Sequence, residues 1–186
     1  MKMYTKYLVG MFSLITAMSA TASIYCPSLP QWSQPINAMK VNQHHIFCGE
    51  INKKGNAVGF HSMPGGDSPS TFIMAEQASA PAASGVYVLK KILLKINGKQ
   101  VTKSYSSMYP NSCTVAQIEK SIVYAYQHNN GHCTSGVTWA FCGPSAPLGD
   151  NSNSYCIGDN GKPLTLATAV DNADKSKINT GFPVDE

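Results

Sequence analysis

The chain has 186 residues, with 14 Lys or Arg against 10 Asp or Glu, and a formal net charge of +4 when the histidines are neutral. A charge this small does not by itself indicate a nucleic-acid partner. No segment after the first 22 residues is long and apolar enough to form a membrane-spanning helix, which excludes such an anchor in that part of the chain.

The first predicted element is a secretory signal peptide over residues 1–22. Two lysines precede an apolar run, and small residues follow it, which is the layout of an export signal. The sequence "ATA" predicts cleavage after Ala22, and removal of 22 of the 186 residues leaves about 164 as one domain, residues 23–186. The apolar run is too short for a membrane anchor, so we expect a secreted or periplasmic protein.

Six cysteines lie after the predicted cleavage site, at positions 26, 48, 113, 133, 142 and 156. An even number in an exported chain predicts up to three disulfides. Six cysteines allow 15 pairings, and the sequence does not choose among them. Cys133–Cys142 is the best guess, because the residues between them can fold back as a short hairpin. The absence of any CxxC pair gives a zinc site little support.

The first third of the mature chain is predicted to be irregular and then extended. Residues 23–43 contain three prolines and no apolar period, which predicts an irregular N-terminal arm. "HIFCGEI", residues 45–51, resembles a short strand, and a glycine-containing turn separates it from a second extended piece, "VGFHSM", residues 58–63.

A β-hairpin and a helix are the clearest local predictions. Asn97–Gly98 separates two strand-like runs, which is a strong hairpin signal. Residues 90–103 around this turn carry five lysines and no acid, and we expect most of them to lie on a solvated face. Further along, Thr114 and Gln117 have capping-box spacing at the start of an apolar period that favours a helix, with Asn130–Gly131 as its stop.

Short extended runs dominate the rest of the chain, with turns between them. The elements follow one another in mixed order without a βαβ rhythm. This order predicts an α+β fold: a compact, disulfide-stabilised single domain with short antiparallel sheets and one or more helices.

The histidines suggest a chemistry. His45 and His61, 16 residues apart, fall in two short segments joined by a turn, which can bring both side chains to one face. Two imidazoles, one neutral and one protonated, can act as general base and general acid. Such a pair suits cleavage of an RNA phosphodiester, in which the 2′-OH is the nucleophile and a nearby lysine stabilises the phosphoryl charge. By spacing alone, however, two such histidines are more often a core residue and a surface residue.

The stretch "HHIFCGEINKKGNAVGFHSM" resembles the signature of the EndoU family of endoribonucleases. In that family a His-hydrophobic-Phe-x-Gly-Glu segment precedes Gly-Phe-His or Gly-Gly-His. The family includes bacterial EndoU proteins and is similar to the eukaryotic poly(U)-preferring and coronavirus uridylate-specific endoribonucleases. The resemblance implies an EndoU-like fold over about residues 40–184 and makes His45 and His61 the catalytic histidines. His44 would then be exposed or a supporting group.

Later motifs carry further site residues by the same resemblance. "VTKSYSSMYP" resembles the strand of the catalytic lysine, which implies Lys103, with Lys99 as the second choice and Ser106 as a candidate phosphate contact. "KINTGFPV" resembles the terminal Thr-x-Tyr-Pro strand, which implies that Thr180 and Phe182 bind substrate. Phe182 replaces the tyrosine of the motif, and a phenyl ring stacks or packs but cannot donate a hydrogen bond. We expect Trp139, outside these motifs, to be a core residue.

The resemblance implies an exported endoribonuclease that cuts single-stranded RNA, with a preference near uridylates, and leaves 2′,3′-cyclic phosphate ends. It makes His61 the base and His45 the acid. No metal cofactor is required, although some family members are stimulated by Mn²⁺. Export implies a toxin, an effector or a scavenging nuclease, with a cognate inhibitor or immunity protein as an expected partner. Two alternatives stay open: an inactive disulfide-stapled binding protein of the same fold, and a metal-binding module built on His44, His45 and His61.

Overall fold

The computed structural model describes residues 23–134, 136–150 and 152–184, and across them the chain forms short strands around one α-helix. The predicted signal peptide, residues 1–22, lies outside the described residues. Within those ranges no helix is long and apolar enough to cross a membrane. The elements in chain order are β1 (Lys40–Val41), β2 (Glu50–Ile51), β3 (Ala57–Val58), β4 (Phe72–Gln77), β5 (Tyr87–Ile96), β6 (Lys99–Met108), α1 (Val115–Gln127), β7 (Phe141–Pro144), β8 (Thr165–Val170) and β9 (Lys177–Pro183).

The strands form three small sheets, and the predicted α+β fold is confirmed. One sheet has the order β1-β9-β8-β7, another has the order β4-β5-β6, and β2 pairs with β3 alone. All pairs are antiparallel except β1 with β9, which is parallel. This single parallel pair brings the first strand, β1, beside the last described strand, β9.

The β5–β6 hairpin forms as predicted at Asn97–Gly98. Both turn residues have positive φ, 50° and 80°, as a two-residue turn of the type favoured by right-twisted strands requires. Four of the five lysines around this hairpin are exposed, and the exception is the partly buried Lys103. The other face of β5 supplies a core with Leu89, Ile92 and Leu94. The hairpin thus places Lys103 on a strand whose backbone is fixed by regular pairing.

Helix α1 begins with the predicted capping box. The Thr114 hydroxyl accepts a hydrogen bond from the Gln117 amide at 3.3 Å, and the Gln117 side chain accepts one from the Thr114 amide at 2.8 Å. The helix ends at Gln127, three residues before the predicted Asn-Gly stop. Its buried face packs on the four-stranded sheet, where a Cβ on Gly181 of β9 would lie only 2.6 Å from the Ile122 side chain. Ile122 belongs to the main core cluster, so this close contact brings β9 against the core.

The prediction of a strand over residues 45–51 is wrong for most of that segment. Residues His44–Cys48 form one wide π-helical turn, and only Glu50–Ile51 is a strand. Asn42, just before this turn, accepts two hydrogen bonds from it, and these favour the turn over a strand. The backbone carbonyl of Asn42 accepts from the Ile46 amide, and its side-chain oxygen accepts from the His45 amide, each at 3.1 Å. The second predicted extended piece likewise ends early, at Val58.

Three disulfides join the six cysteines, and none of the described cysteines is free. The predicted Cys133–Cys142 pair is confirmed, and the others are Cys26–Cys48 and Cys113–Cys156. Three disulfides indicate a protein that folds in an oxidising extracellular or periplasmic environment.

Candidate active site

Three separate elements bring the predicted histidines and lysine into one cleft of about 740 Å³. His45 comes from the π-helical turn, His61 from the segment after β3, and Lys103 from β6. The two imidazole centroids lie 5.9 Å apart. The remaining sequence-predicted residues, Ser106, Thr180 and Phe182, line the same cleft.

His45 is held by a carboxylate on its Nδ1 side. Its Nδ1 lies 3.0 Å from Glu50 Oε2, and the residue is only 8% exposed. Asn42 donates from Nδ2 to both Glu50 oxygens at 3.2 Å and to Asn179 Oδ1 at 3.0 Å. Burial raises the pKa of Glu50, but hydrogen bonds from His45 and Asn42 and the positive charge of His45 outweigh it and lower the pKa below 4.5. An ionised Glu50 therefore fixes the Nδ1–H of His45 and leaves Nε2 for a substrate.

His61 is buried as a neutral imidazole. Its Nδ1 lies 3.0 Å from the carbonyl oxygen of Ser107, and since a carbonyl only accepts, Nδ1 carries the proton and Nε2 the lone pair. Burial, and then the charges of Lys103 and His45, hold the pKa of His61 well below 6.5, against a smaller opposing effect of the Ser107 bond. A neutral ring with a free Nε2 is the form that a general base needs.

A left-handed backbone step sets the position of His61. Gly59 and Phe60 have φ of 74° and 61°, so the chain turns back onto the π-helical turn. The amide of Phe60 donates to the His45 carbonyl at 2.6 Å, and that of His61 donates to the Ile46 carbonyl at 2.7 Å. A Cβ on Gly59 would lie 2.1 Å from the His45 carbonyl oxygen. The backbones of the two histidine segments thus touch, and only glycine fits at this contact.

Lys103 reaches into the cleft from β6. Its Nζ donates to the carbonyl oxygen of Gly59 and, at 2.9 Å, to Ser106 Oγ. Burial lowers the pKa of Lys103 from 10.5 to about 8. The second choice, Lys99, is exposed at the hairpin turn and does not line the cleft. The geometry therefore offers one partly buried ammonium group beside two histidines.

A family model for bacterial EndoU nucleases matches residues 40–185, which include every residue of the cleft. The chain belongs to the bacterial EndoU nuclease family. No curated protein and no solved structure gives a significant match.

The remaining EndoU candidates occupy different positions in the cleft. Ser106, predicted to touch phosphate, is 1% exposed; its Oγ donates to the Phe60 carbonyl at 2.6 Å and lies 3.0 Å from His61 Nδ1. Ser106 therefore links strand β6, which carries Lys103, to the segment of Phe60 and His61. Thr180 has a buried Oγ1 without a hydrogen-bond partner in the described structure. Phe182 stacks on His61, with ring centroids 4.8 Å apart.

Sequence reasoning about this EndoU protein missed two asparagines and misplaced one tryptophan. Asn42 donates to Glu50, the carboxylate that orients His45, and Asn179 accepts a further hydrogen bond from the same Asn42 amide. They lie on either side of the parallel β1–β9 pair, and no local pattern predicts that pairing. Trp139 was expected in the core, but it is 58% exposed and lines the cleft. A 58% exposed ring is unusual for tryptophan, which is highly buried on average.

His44 does not join the other histidines of the EndoU cleft. Its Nε2 lies 2.6 Å from the Leu29 carbonyl in the N-terminal arm, so its ring anchors the arm. The described part of the chain contains no group of three or more His, Cys, Asp or Glu side chains that could hold a metal ion. With its Nε2 on the Leu29 carbonyl, His44 gives no support to the alternative of a metal module that uses His44, His45 and His61 together.

Proposed function

We propose that this protein is an endoribonuclease that cleaves single-stranded RNA by attack of a ribose 2′-OH on the adjacent phosphodiester. The reaction leaves a 2′,3′-cyclic phosphate and a 5′-hydroxyl. The observation that carries the proposal is the convergence of His45, His61 and Lys103 in one cleft, with each histidine held through Nδ1. The nucleophile belongs to the substrate, so these side chains need only move protons and stabilise charge.

His61 is the proposed general base. Its neutral ring accepts the 2′-OH proton at Nε2 while the 2′-oxygen attacks phosphorus in line. Its Nδ1–H stays on the Ser107 carbonyl throughout, so ring orientation does not change as the proton moves.

His45 is the proposed general acid. It protonates the departing 5′-oxygen from Nε2. The ionised Glu50 on Nδ1 orients the ring and stabilises its imidazolium form, as a carboxylate does for the histidine of a hydrolytic triad.

Lys103 is proposed to stabilise the negative charge that grows on the phosphoryl oxygens. Its two partners, the Gly59 carbonyl and Ser106 Oγ, fix the ammonium group before substrate arrives. A preorganised charge needs no reorganisation at the transition state. Thr180, whose Oγ1 has no hydrogen-bond partner in the described residues, is proposed to hydrogen-bond a uracil edge, and Phe182 is proposed to stack on that base.

Incubation of the oxidised protein with a short uridine-rich RNA in EDTA tests this function. We expect cleavage to products with 2′,3′-cyclic phosphate ends, identified by mass spectrometry, because no step requires a metal. The same reaction with added Mn²⁺ measures any stimulation. RNA that stays intact under both conditions would favour the alternative, an inactive binding protein with the same fold. Products with 3′-hydroxyl ends would exclude the two-histidine mechanism.

The pH dependence of kcat/KM should follow the lowered pKa values of His61 and Lys103. As pH falls, His61 is protonated and the base is lost; because its pKa lies well below 6.5, we expect the acid limb below pH 6.5. As pH rises through about 8, Lys103 loses its charge and activity declines. Measurement of kcat/KM from pH 4 to 10 checks both limbs. Full activity at pH 9, or an acid limb at or above 6.5, would contradict these assignments.

The proposed place of action is outside the cytoplasm. The three disulfides support it, together with the sequence of the N-terminal segment. An exported RNase acts as a toxin, an effector or a scavenging nuclease. A cell that makes such an enzyme is expected to carry a cognate inhibitor or immunity protein.

A further inference from the structure

An exposed tryptophan stands on the wall of the catalytic cleft. Trp139 is 58% exposed, and its ring centroid lies 6.2 Å from that of Phe182 at an angle of 41°. Phe182 in turn stacks on His61, and His61 on His45. The four rings form a row that starts at the reacting groups and ends at an indole open to solvent.

The backbone beneath this ring is firmly held. The Ala140 amide donates to the Val137 carbonyl, and the Cys133 amide donates to the Ala140 carbonyl, both at 2.9 Å. The Cys133–Cys142 disulfide closes the same segment. Ala140 and Cys133 are buried in a small core cluster that Phe182 also contacts. Hydrogen bonds at Val137 and Ala140, on either side of Trp139, therefore hold the backbone that carries the indole.

Other residues around Trp139 suit a nucleotide. Lys175 and Asn172, from the β8–β9 turn, line the same cleft and can contact a phosphate. The indole offers a flat apolar face, on which any nucleobase can stack. Phe182 lies beside the reacting histidine, so it is the ring nearest to the cleaved nucleotide. Trp139 lies one ring further out, which corresponds to the neighbouring nucleotide.

We infer that Trp139 is a stacking platform for the base of a nucleotide that flanks the cleaved one, so that the substrate is a single-stranded oligonucleotide and not a mononucleotide. This inference rests on the proposed function. Because stacking tolerates every base, Trp139 should add affinity and substrate length preference without base selectivity.

Binding to an RNA that cannot react tests the inference apart from catalysis. The chain has two tryptophans, so Trp32→Phe leaves Trp139 as the only indole reporter. An all-2′-O-methyl uridine octamer should quench its fluorescence, and uridine 3′-monophosphate should quench it little. Trp139→Ala, followed by anisotropy of a labelled octamer, should raise Kd by about 5- to 150-fold, the usual loss of one stacked base. Trp139→Phe should retain most of the affinity.

The matched control is Tyr25→Ala, which removes an aromatic ring that is 63% exposed but does not line the cleft. Its Kd should stay within about twofold of the wild type. With cleavable octamer, Trp139→Ala should raise KM and leave kcat nearly unchanged, because the ring does not touch the reacting atoms. If Trp139→Ala leaves Kd unchanged, the proposal of a stacking platform is wrong. Cleavage by the wild type in the same experiment would still support the proposed ribonuclease function. Quenching by the octamer without any cleavage supports the platform and rejects the ribonuclease.

Discussion

Replacement of His61 by alanine should lower kcat for RNA cleavage by about 10²–10⁴-fold, since one proton transfer contributes about that much. His45→Ala should have an effect of the same order. The double variant should lose far less than the product of the two, because the groups act as a unit. Initial rates on a uridine-rich oligonucleotide, with circular dichroism to show an intact fold, measure all three.

The leaving group separates the two roles. A uridine 3′-phosphodiester with a 4-nitrophenyl leaving group needs no general acid, so it should rescue His45→Ala and not His61→Ala. Rescue of the opposite variant would exchange the assignments of base and acid. His44→Ala is the control. The His44 ring binds the Leu29 carbonyl, so its replacement should leave kcat nearly unchanged. Loss of activity in His44→Ala with a functional His45→Ala would mean that the motif alignment is wrong by one residue.

Gly59→Ala should damage both stability and activity. The left-handed φ of 74° costs alanine roughly 1–2 kcal/mol. The added Cβ would also lie 2.1 Å from the His45 carbonyl oxygen, and backbone cannot move aside as a side chain does, which adds roughly 1–3 kcal/mol of overpacking. We expect unfolding free energy to fall by about 2–5 kcal/mol and kcat to fall by about 100-fold or more, since small shifts of catalytic groups have such effects.

Gly55→Ala is the matched control for this contact. Gly55 has a similar φ of 82°, but nothing lies within 4 Å of its Cβ position. It should lose only the roughly 1–2 kcal/mol of backbone strain and should keep its activity. Chemical denaturation and initial rates of both variants measure the difference. Equal losses in the two variants would mean that the approach to His45 has no energetic consequence.

Local chemistry explains which parts of this fold could be predicted from the sequence. The capping box of α1 and the Asn-Gly turn of the β5–β6 hairpin act between near neighbours, and both formed where the sequence indicated. The π-helical turn depends instead on Asn42 and on amides of Phe60 and His61 about 15 residues further along. Strand propensity in "HIFC" could not reveal those partners, and tertiary contacts overrode it.

The residues of the candidate site likewise divide into those that the sequence could indicate and those that depend on tertiary contacts. His45, His61 and Lys103 were predicted by resemblance to a family motif, and the structure brings them into one cleft. Their spacing in the sequence alone does not carry that spatial information. Asn42 and Asn179 were missed because they lie 137 residues apart in the sequence. Only the pairing of β1 with β9 brings them together, and no local pattern predicts that pairing. Trp139 was misplaced because tryptophan usually prefers burial, and only the folded chain reveals that the disulfide-closed loop points its ring into the cleft.

The parallel pairing of β1 with β9 has a consequence for biosynthesis. Thr180 and Phe182 lie on the last strand, and the same strand carries the end of the network that orients His45. A chain emerging from the ribosome therefore lacks one wall of its own cleft until residues 177–183 have been made. Contacts of such long sequence separation also form slowly. A nuclease cleft assembled in this order cannot be complete before strand β9 has been made.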